Sequence, residues 1–396
     1  MKQFDLVIVG GGTAGITTAA HVRKRFKAGA LTVAIVDPSD KHYYQPLWTV
    51  VGAGVVKKES TERAMQSLLP PGVEFIKGAV QSFQPEDLKI SLEDGSILGY
   101  KYLIVCAGMQ LNWDRIDGLM ETLGKNNVAS NYRYDLVDYT WESIRNTRDG
   151  NAIFTQPPMP IKCAGAPQKI CYMAEDYFRT QKRRKDIDVR FCAQGPAIFG
   201  VPKYKEALEK VVARKEISTF FEHNLVEVDG PSKTAIFQKQ DSDERVNMPF
   251  SMLHVTPPMS APDFISQSSL ADASGYVEVD KYTLQHKRYP NIFSAGDCSN
   301  LPTSRTGAAV RKQIPVLVEN LRSLIEGKEL LAQYDGYASC PLVTGYGTAI
   351  LAEFGYDGKI METFPFDQGK ERLSMYLLKV YGLPKLYWNG MLKGYA

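Results

Sequence analysis

An unbroken apolar run, Leu6-Val7-Ile8-Val9, stands near the start of the chain. A run this short and this rich in β-branched residues predicts a strand buried on both faces of a parallel sheet. The period then changes. From Ala14 to Phe26 the apolar positions Ile16, Ala19, Ala20 and Val22 follow a helical spacing, with Arg23, Lys24 and Lys27 in or just past the last turns. A second strand, Leu31 to Val36, ends at Asp37. Similar runs recur at Tyr102 to Val105, Asp188 to Ala193 and Asn291 to Ser294, and a helix is predicted over Lys169 to Thr180. Strands alternating with helices predict an α/β fold built on doubly wound parallel sheets. Near the C-terminus Leu373, Tyr376, Leu377 and Val380 fall at i, i+3, i+4 and i+7, one apolar helix face. Pro384 is expected to break the chain after that helix, with Leu386 to Leu392 forming a second short amphipathic piece.

Between the first strand and the first helix lies Gly10-Gly11-Gly12-Thr13-Ala14-Gly15, a G-x-G-x-x-G pattern. Gly10 allows the tight turn, Gly12 admits a pyrophosphate against the backbone, and Gly15 lets the helix pack closely on the strand. Thr13 and Ala14 open the helix, whose free N–H groups and positive end favour an anion. Asp37 lies 22 residues past Gly15, where an acid holds a ribose hydroxyl. Strand, glycine turn, helix and acid in that order point to a bound dinucleotide.

The 396 residues correspond to two or three domains at about 150 residues each. With 47 basic and 44 acidic side chains the formal charge is +3, which argues against a nucleic-acid binder. Mean hydropathy is −0.24, and no stretch approaches the roughly 18 unbroken apolar residues of a membrane span. No signal peptide is expected, since Met1 and Lys2 lead at once into the first strand. The basic run Arg179 to Lys185 is expected to be a solvated surface. The six cysteines form no CxxC, and the five histidines show no metal-ligand spacing, so no metal is expected. From Gly369 to Ala396, however, five basic and five aromatic residues accompany one acid. That composition predicts an interfacial membrane anchor, against the alternative of a helix pair docked on the core or on a second subunit.

Cys163 sits in a loop just before the predicted helix at Lys169, beside Lys162 and Lys169. That setting is expected to lower its pKa from the usual value of about 8.5. Cys340, in Ser339-Cys340-Pro341, is also expected on a loop. Their separation in sequence does not by itself pair them. Cys106, Cys171, Cys192 and Cys298 read as buried small apolar residues.

The chain resembles the flavoprotein disulfide reductases: Ser294-Ala295-Gly296-Asp297 is similar to the segment whose aspartate meets the ribityl chain of FAD, and Cys106-Ala107-Gly108 to its crossover strand. More specifically, Cys163-Ala164-Gly165-Ala166-Pro167-Gln168-Lys169 and Cys340-Pro341-Leu342-Val343 resemble sulfide:quinone oxidoreductase of the mitochondrial (type II) branch. So do His42 to Thr49, Ser130-Asn131-Tyr132, Leu301 to Thr306 and Leu386 to Leu392. The resemblance implies two Rossmann-like folds of the glutathione-reductase kind plus a C-terminal membrane segment. A discontinuous FAD domain would span 1–113 and 264–333, a second NAD-like domain 114–263, and a redox-cysteine and quinone segment 334–396. In the second domain the turn after Ala193 keeps only Gly195 and Gly200, with Pro196 removing a donor, so no working NAD site is expected there.

The resemblance also implies the chemistry. Hydrogen sulfide opens an oxidised Cys163–Cys340 pair, leaving a persulfide on Cys340, and two electrons reach a quinone by way of FAD. The sulfur leaves to hydrosulfide, sulfite, glutathione or cyanide. No cysteine falls in Asn127 to Tyr132, so the FAD is expected to be held without a covalent bond. FAD-binding candidates are Gly10, Gly12, Thr13, Ala14, Gly15, Asp37, Gln45, Ala107, Gly108, Gly296, Asp297 and Lys312. Lys169 reads equally as a holder of anionic sulfur and as a solvated lysine; Glu121 and Lys379 are further candidates for the substrate passage. Tyr346 and Phe354 are candidates to pack on the quinone ring, or else core residues. The expected location is peripheral on a membrane surface, at a bacterial inner membrane, with a homodimer left open. A type II NADH:quinone dehydrogenase and a non-catalytic flavin-bound sulfide or polysulfide sensor are the alternatives.

Overall fold

The first strand, β1 (Lys2–Val9), is central in a seven-stranded sheet of the computed structural model, which describes residues 1–396. Leu6 to Val9 are buried on both sides, as their unbroken apolar pattern requires. The helix α1 (Thr13–Arg25) buries Ala14 to Val22 against the sheet. Parallel to β1 on one flank runs β2 (Val33–Asp37), followed outward by β3 (Val73–Lys77). A meander, β4 (Val80–Gln84) and β5 (Lys89–Leu92), leads into β6 (Ile97–Val105), which returns parallel to the other flank of β1. The short strand Ile292–Ser294 then lies parallel to the last residues of β6, pairing Ser294 with Val105. Val9, Val105 and Ser294 thus end side by side, and each runs into a turn: Gly10, Ala107-Gly108 and Gly296-Asp297. Ligands of open α/β sheets bind at this carboxyl edge.

A second parallel sheet is formed by β7 (Gly150–Gln156), β8 (Ile187–Ala193), β9 (Ser218–Phe221) and β10 (Met252–His254), with the two-residue strand Val128–Ala129 at its edge. The helix α2 (Ala166–Thr180) joins β7 to β8, starting three residues earlier than its periodicity suggests because Pro167 is accommodated in its first turn. After β8 the chain wanders through 194–201 before α3 (Pro202–Arg214) begins. There is no tight glycine turn, and proline leads the helix, so this edge offers few N–H groups to a pyrophosphate. The basic run after α2 is not simply solvated. Arg179 and Arg184 close on the fully buried Glu175, and Arg184 also donates to the Lys215 carbonyl oxygen.

A long helix, α4 (Gly307–Ile325), packs along α1. It is followed by a two-stranded hairpin, β11 (Ala338–Gly345) and β12 (Thr348–Phe354), which lies against α2 and α4. Cys340 therefore lies on a strand, paired with Ala352, and not on the expected loop. Ser-Cys-Pro reads as a loop because proline weakens a strand; a hairpin with open edges tolerates it.

The C-terminal segment comprises α5 (Leu373–Leu377), a wider π turn over Leu378–Gly382, and α6 (Leu383–Asn389). The single apolar face expected here is split. Tyr376 and Val380 are buried with Met375, whereas Leu373 is 60% and Tyr381 56% exposed, with Leu377 exposed beside them. The segment is apolar on both sides, and its midpoint lysine, Lys379, a candidate for the substrate passage, turns into the protein. Pro384 does not end the helix but falls in the first turn of α6.

Candidate active site

The Cys163 loop is tied down on both sides. Its N–H donates to Arg305 O at 2.9 Å, and its carbonyl accepts from Ala166 N at 2.7 Å as α2 begins. Cys163 itself adopts φ +54°, a left-handed conformation that costs a non-glycine residue about 1–2 kcal/mol. The loop brings Cys163 Sγ to 3.7 Å from Cys340 Sγ on β11. Gly165 permits this approach, because a Cβ there would lie 2.8 Å from Cys340 Sγ and 2.4 Å from Leu342 Cδ2.

Two buried lysines lie near this pair. Lys169, one turn into α2, is buried and places Nζ 3.1 Å from Cys163 Sγ. Lys379, from the π turn, is equally buried and donates to Pro46 O at 2.7 Å. Cys163 is held well below the usual thiol range, first by the hydrogen bond from Cys340 and then by the Lys169 charge, against the cost of burial. Cys340 is pushed well above it by the same hydrogen bond and by burial. The two sulfurs share one proton, and the Lys169 ammonium beside Cys163 favours the thiolate there. Lys169 is raised by the facing thiolate despite its burial. Lys379 is lowered to about 7 by burial and by the neighbouring Lys169 charge.

The carboxyl edge of the first sheet supplies a cradle. Gly10 sits at φ +100°, with no room for a Cβ against Cys106 O, and Gly15 packs on Gly10 O. At Gly12 a Cβ would meet nothing within 4 Å, so the space over the turn is open. The first α1 bond runs from Ile16 N to Gly12 O, which leaves the N–H groups of Thr13, Ala14 and Gly15 for a ligand. Asp37 accepts from Gly11 N at 2.7 Å and Ser39 N at 2.8 Å, which fixes its carboxylate beside the turn. Across the sheet Gly296 N donates to Gln313 Oε1, and Arg305 Nε donates to Asp297 O at 2.9 Å. Asp297 is raised by burial, opposed by Lys162 and Arg305. Gln45 Oε1 accepts from Lys162 Nζ at 2.9 Å, beside Cys163. Ala107 and Gly108 follow β6, with Gly108 at φ +72°. Lys312 stands on the exposed side of α4, over the Tyr337 ring. A strand–glycine–helix turn with free N–H groups, a fixed carboxylate and open space suits a dinucleotide.

The structure does not gather all candidates. Glu121 is exposed on the one-turn helix Leu119–Thr122, and no hydrogen bond or ion pair joins it to the thiols. Phe354 packs edge-on against Phe199 in the core. Tyr346, at the tip of the β11–β12 hairpin, is 37% exposed and donates its hydroxyl to Ala53 O at 2.6 Å. The four remaining cysteines are buried.

Sequence reasoning missed His42 and Tyr387 as site residues, although both lie in segments singled out by resemblance. His42 donates Nδ1–H to Gly11 O at 3.0 Å and, lowered by burial and so neutral, accepts from the Tyr387 hydroxyl at Nε2 (2.5 Å). The Tyr387 oxygen is also bonded to Thr13 Oγ1 at 2.9 Å. The C-terminal helix is thereby fastened onto the glycine turn. No spacing rule links positions 42 and 387; only the fold does.

Residues 4–140 match the family model of the pyridine nucleotide-disulphide oxidoreductases. The chain is 45% identical over 395 residues to the mitochondrial sulfide:quinone oxidoreductase of Mus musculus, covering 100% of this chain and 87% of that protein. It is 46% identical over 391 residues to the protein of the same name from Dictyostelium discoideum, covering 98% and 86%. The crystal structure of the sulfide:quinone oxidoreductase from Aquifex aeolicus shares the fold, with a TM-score of 0.84 at 18% identity over 100% of this chain and 92% of that one. Full-length similarity at this level, together with a thiol pair beside a dinucleotide cradle, places the chain in the sulfide:quinone oxidoreductase family, in its mitochondrial-type branch.

Proposed function

We propose that the chain oxidises hydrogen sulfide to sulfane sulfur through Cys163 and Cys340, with a flavin passing the two electrons to a membrane quinone. The observation that carries this reading is the meeting of the two sulfurs at 3.7 Å with a buried ammonium on one of them. In the oxidised pair, hydrosulfide attacks one sulfur and expels the other. The thiolate with the lower pKa leaves faster. Cys163 is that leaving group, stabilised by Lys169, so the attack falls on Cys340. The new bond joins the incoming sulfur to Cys340, the Cys163–Cys340 bond breaks, and Cys163 keeps the electron pair. Cys340 is 4% exposed, which admits only a small attacker. An acceptor such as hydrosulfide, sulfite, glutathione or cyanide then removes the outer sulfur.

FAD, held without a covalent bond, fits the cradle of Gly10, Gly12, Gly15, Asp37, Gly296 and Asp297. When bound, it supplies two-electron acceptor chemistry between thiolate and quinone. Tyr346 is the candidate left for the quinone, since its exposed hairpin tip stands next to Leu373: a Cβ on Gly347 would lie 3.8 Å from Leu373 Cδ1. The apolar outer side of α5 and the π turn, bordered by Lys370 and Lys385, suits the surface of a quinone-bearing membrane such as the bacterial inner membrane. No helix is long and apolar enough to cross a membrane.

Anaerobic titration with sulfide, followed by short-chain quinone, tests the reading. The flavin absorbance is expected to bleach and recover in the unsubstituted protein and to do neither at comparable rates in Cys163→Ser or Cys340→Ser. Wild-type turnover in both variants, or bleaching by NADH instead of sulfide, overturns it.

A further inference from the structure

The tip of the β11–β12 hairpin is held at both ends of one residue. Tyr346 donates its hydroxyl to Ala53 O at 2.6 Å and its backbone N–H to Asp176 Oδ2 at 2.7 Å. Below the tip Gly345 pairs with Thr348, and Thr344 Oγ1 donates to Thr348 Oγ1 at 3.0 Å. The Tyr346 N–H takes its acceptor from α2 rather than from the hairpin. Gly345 makes room for that acceptor, since a Cβ there would lie 2.9 Å from Asp176 Oδ2.

The carboxylate is itself braced. Asp176 Oδ1 lies 3.4 Å from Lys215 Nζ, and the same ammonium lies 2.8 Å from Oε2 of the fully buried Glu175. One oxygen is held by a nearly buried cation, so the other is a fixed, charge-assisted acceptor. Asp176 also stands seven residues after Lys169, on the same face of α2 and roughly 10 Å along its axis. One helix face thus carries the ammonium of the thiol pair and the anchor of the hairpin tip.

The tip borders an apolar, aromatic edge. A Cβ on Gly347 would lie 3.8 Å from Leu373 Cδ1, and Leu373, Leu377 and Tyr381 are exposed. Past Ala53, a Cβ on Gly54 would lie 2.4 Å from Trp141 Cε2, and Trp141 meets Tyr177, the neighbour of Asp176, edge-on at 4.9 Å. The Tyr346 hydroxyl is spent on Ala53 O, so the ring and not the hydroxyl is left to meet a ligand. A flat quinone ring suits such a surface, and stacking costs least when the protein ring is already fixed.

We propose that Asp176 is a positioning residue for the quinone: its carboxylate, braced by Lys215, pins the hairpin tip so that the Tyr346 ring is preset beside the exposed side of α5. This rests on the reading above that puts the quinone at Tyr346. Asp176 acts through Tyr346 and touches neither the sulfurs nor the quinone. The thiol end is set separately, because Cys340 is fixed by its pairing with Ala352 and by its contact at Gly165.

The test separates the two half-reactions of the flavin-loaded protein, reading bleaching by sulfide and turnover with a short-chain ubiquinone. In Asp176→Ala the KM for the quinone is expected to rise about fivefold or more, with kcat and sulfide bleaching within about twofold. Asp176→Asn keeps an oxygen for Tyr346 N and is expected to restore the KM to within about twofold. Gly345→Ala crowds the carboxylate off the tip from the other side and is expected to give the same split as Asp176→Ala. Tyr346→Ala is expected to raise the KM at least as far, with no further rise when Asp176→Ala is added. An unchanged KM in Asp176→Ala and Gly345→Ala, with a raised one in Tyr346→Ala, overturns this inference alone. So does bleaching that slows in step with quinone turnover, or a KM raised equally in Asp176→Asn and Asp176→Ala. An unchanged KM in Tyr346→Ala overturns the placement of the quinone, and this inference with it.

Discussion

Lys169 Nζ donates to Cys163 Sγ across 3.1 Å, and the ammonium is buried. A charge placed there is stable only because the facing sulfur is negative, so each group holds the other ionised. Replacing Lys169 with Met leaves the thiolate without its cation. The Cys163 pKa is then expected to rise toward the ordinary thiol value of about 8.5. The pH profile of iodoacetamide labelling of the reduced protein measures this, and sulfide-driven bleaching at pH 7 is expected to slow tenfold or more.

Lys379 has the opposite balance. Its folded pKa is about 7 against 10.5 for an ordinary lysine, so the unfolded chain binds the extra proton between those values. Stability therefore rises with pH from about 7 to 10.5, and the cost of burying the ammonium is greatest below pH 7. Lys379→Met is expected to raise the melting temperature more at pH 6 than at pH 9.5, with a ceiling of roughly 5 kcal/mol. Equal gains at both pH values would refute the assignment.

Gly165→Ala places a methyl group 2.8 Å from Cys340 Sγ without straining the backbone, which is at φ −85°. The sulfurs are expected to be forced apart, with sulfide-driven bleaching slowed at least tenfold and flavin content unchanged. Measuring both in one preparation separates thiol geometry from cofactor binding.

Removing the hydroxyl in Tyr387→Phe breaks the chain from Thr13 through Tyr387 to His42. A cost of about 1–3 kcal/mol is expected for leaving His42 Nε2 buried and unpaired. It is expected to appear as a lower melting temperature and weaker retention of flavin on dialysis.

Leu377→Glu combined with Tyr381→Glu charges the exposed side of the C-terminal segment and leaves Tyr376 and Val380 in place. Binding to anionic phospholipid vesicles is expected to be lost, while sulfide still bleaches the flavin. Sedimentation with vesicles provides the measurement, and vesicle binding as strong as in the unsubstituted protein would refute this role.

The first βαβ unit was legible because each of its residues obeys a local rule: apolar run, glycine turn, helix, acid. The cysteine pair was not legible in that sense. Cys163 and Cys340 meet through the packing of the β11–β12 hairpin on α2, and only resemblance to a family paired them beforehand. Cys340 reads as a loop residue in sequence because Pro341 masks a strand whose burial comes from tertiary contacts. The C-terminal helices were foreseen but their orientation was not. A segment apolar on two sides gives periodicity no way to choose between them, and Lys379 is buried for a reason that lies on other elements. His42 and Tyr387 acquire meaning only from neighbours distant in sequence.

Arg305 grips both halves of the proposed chemistry, accepting from Cys163 N at its carbonyl and donating from Nε to the carbonyl of Asp297. One residue thus acts as a caliper: its length sets the gap between the nucleophilic sulfur and whatever rests on the Gly296–Asp297 turn. Both loops are referred to this one residue, so a displacement of Arg305 would shift the sulfur and the Gly296–Asp297 turn together.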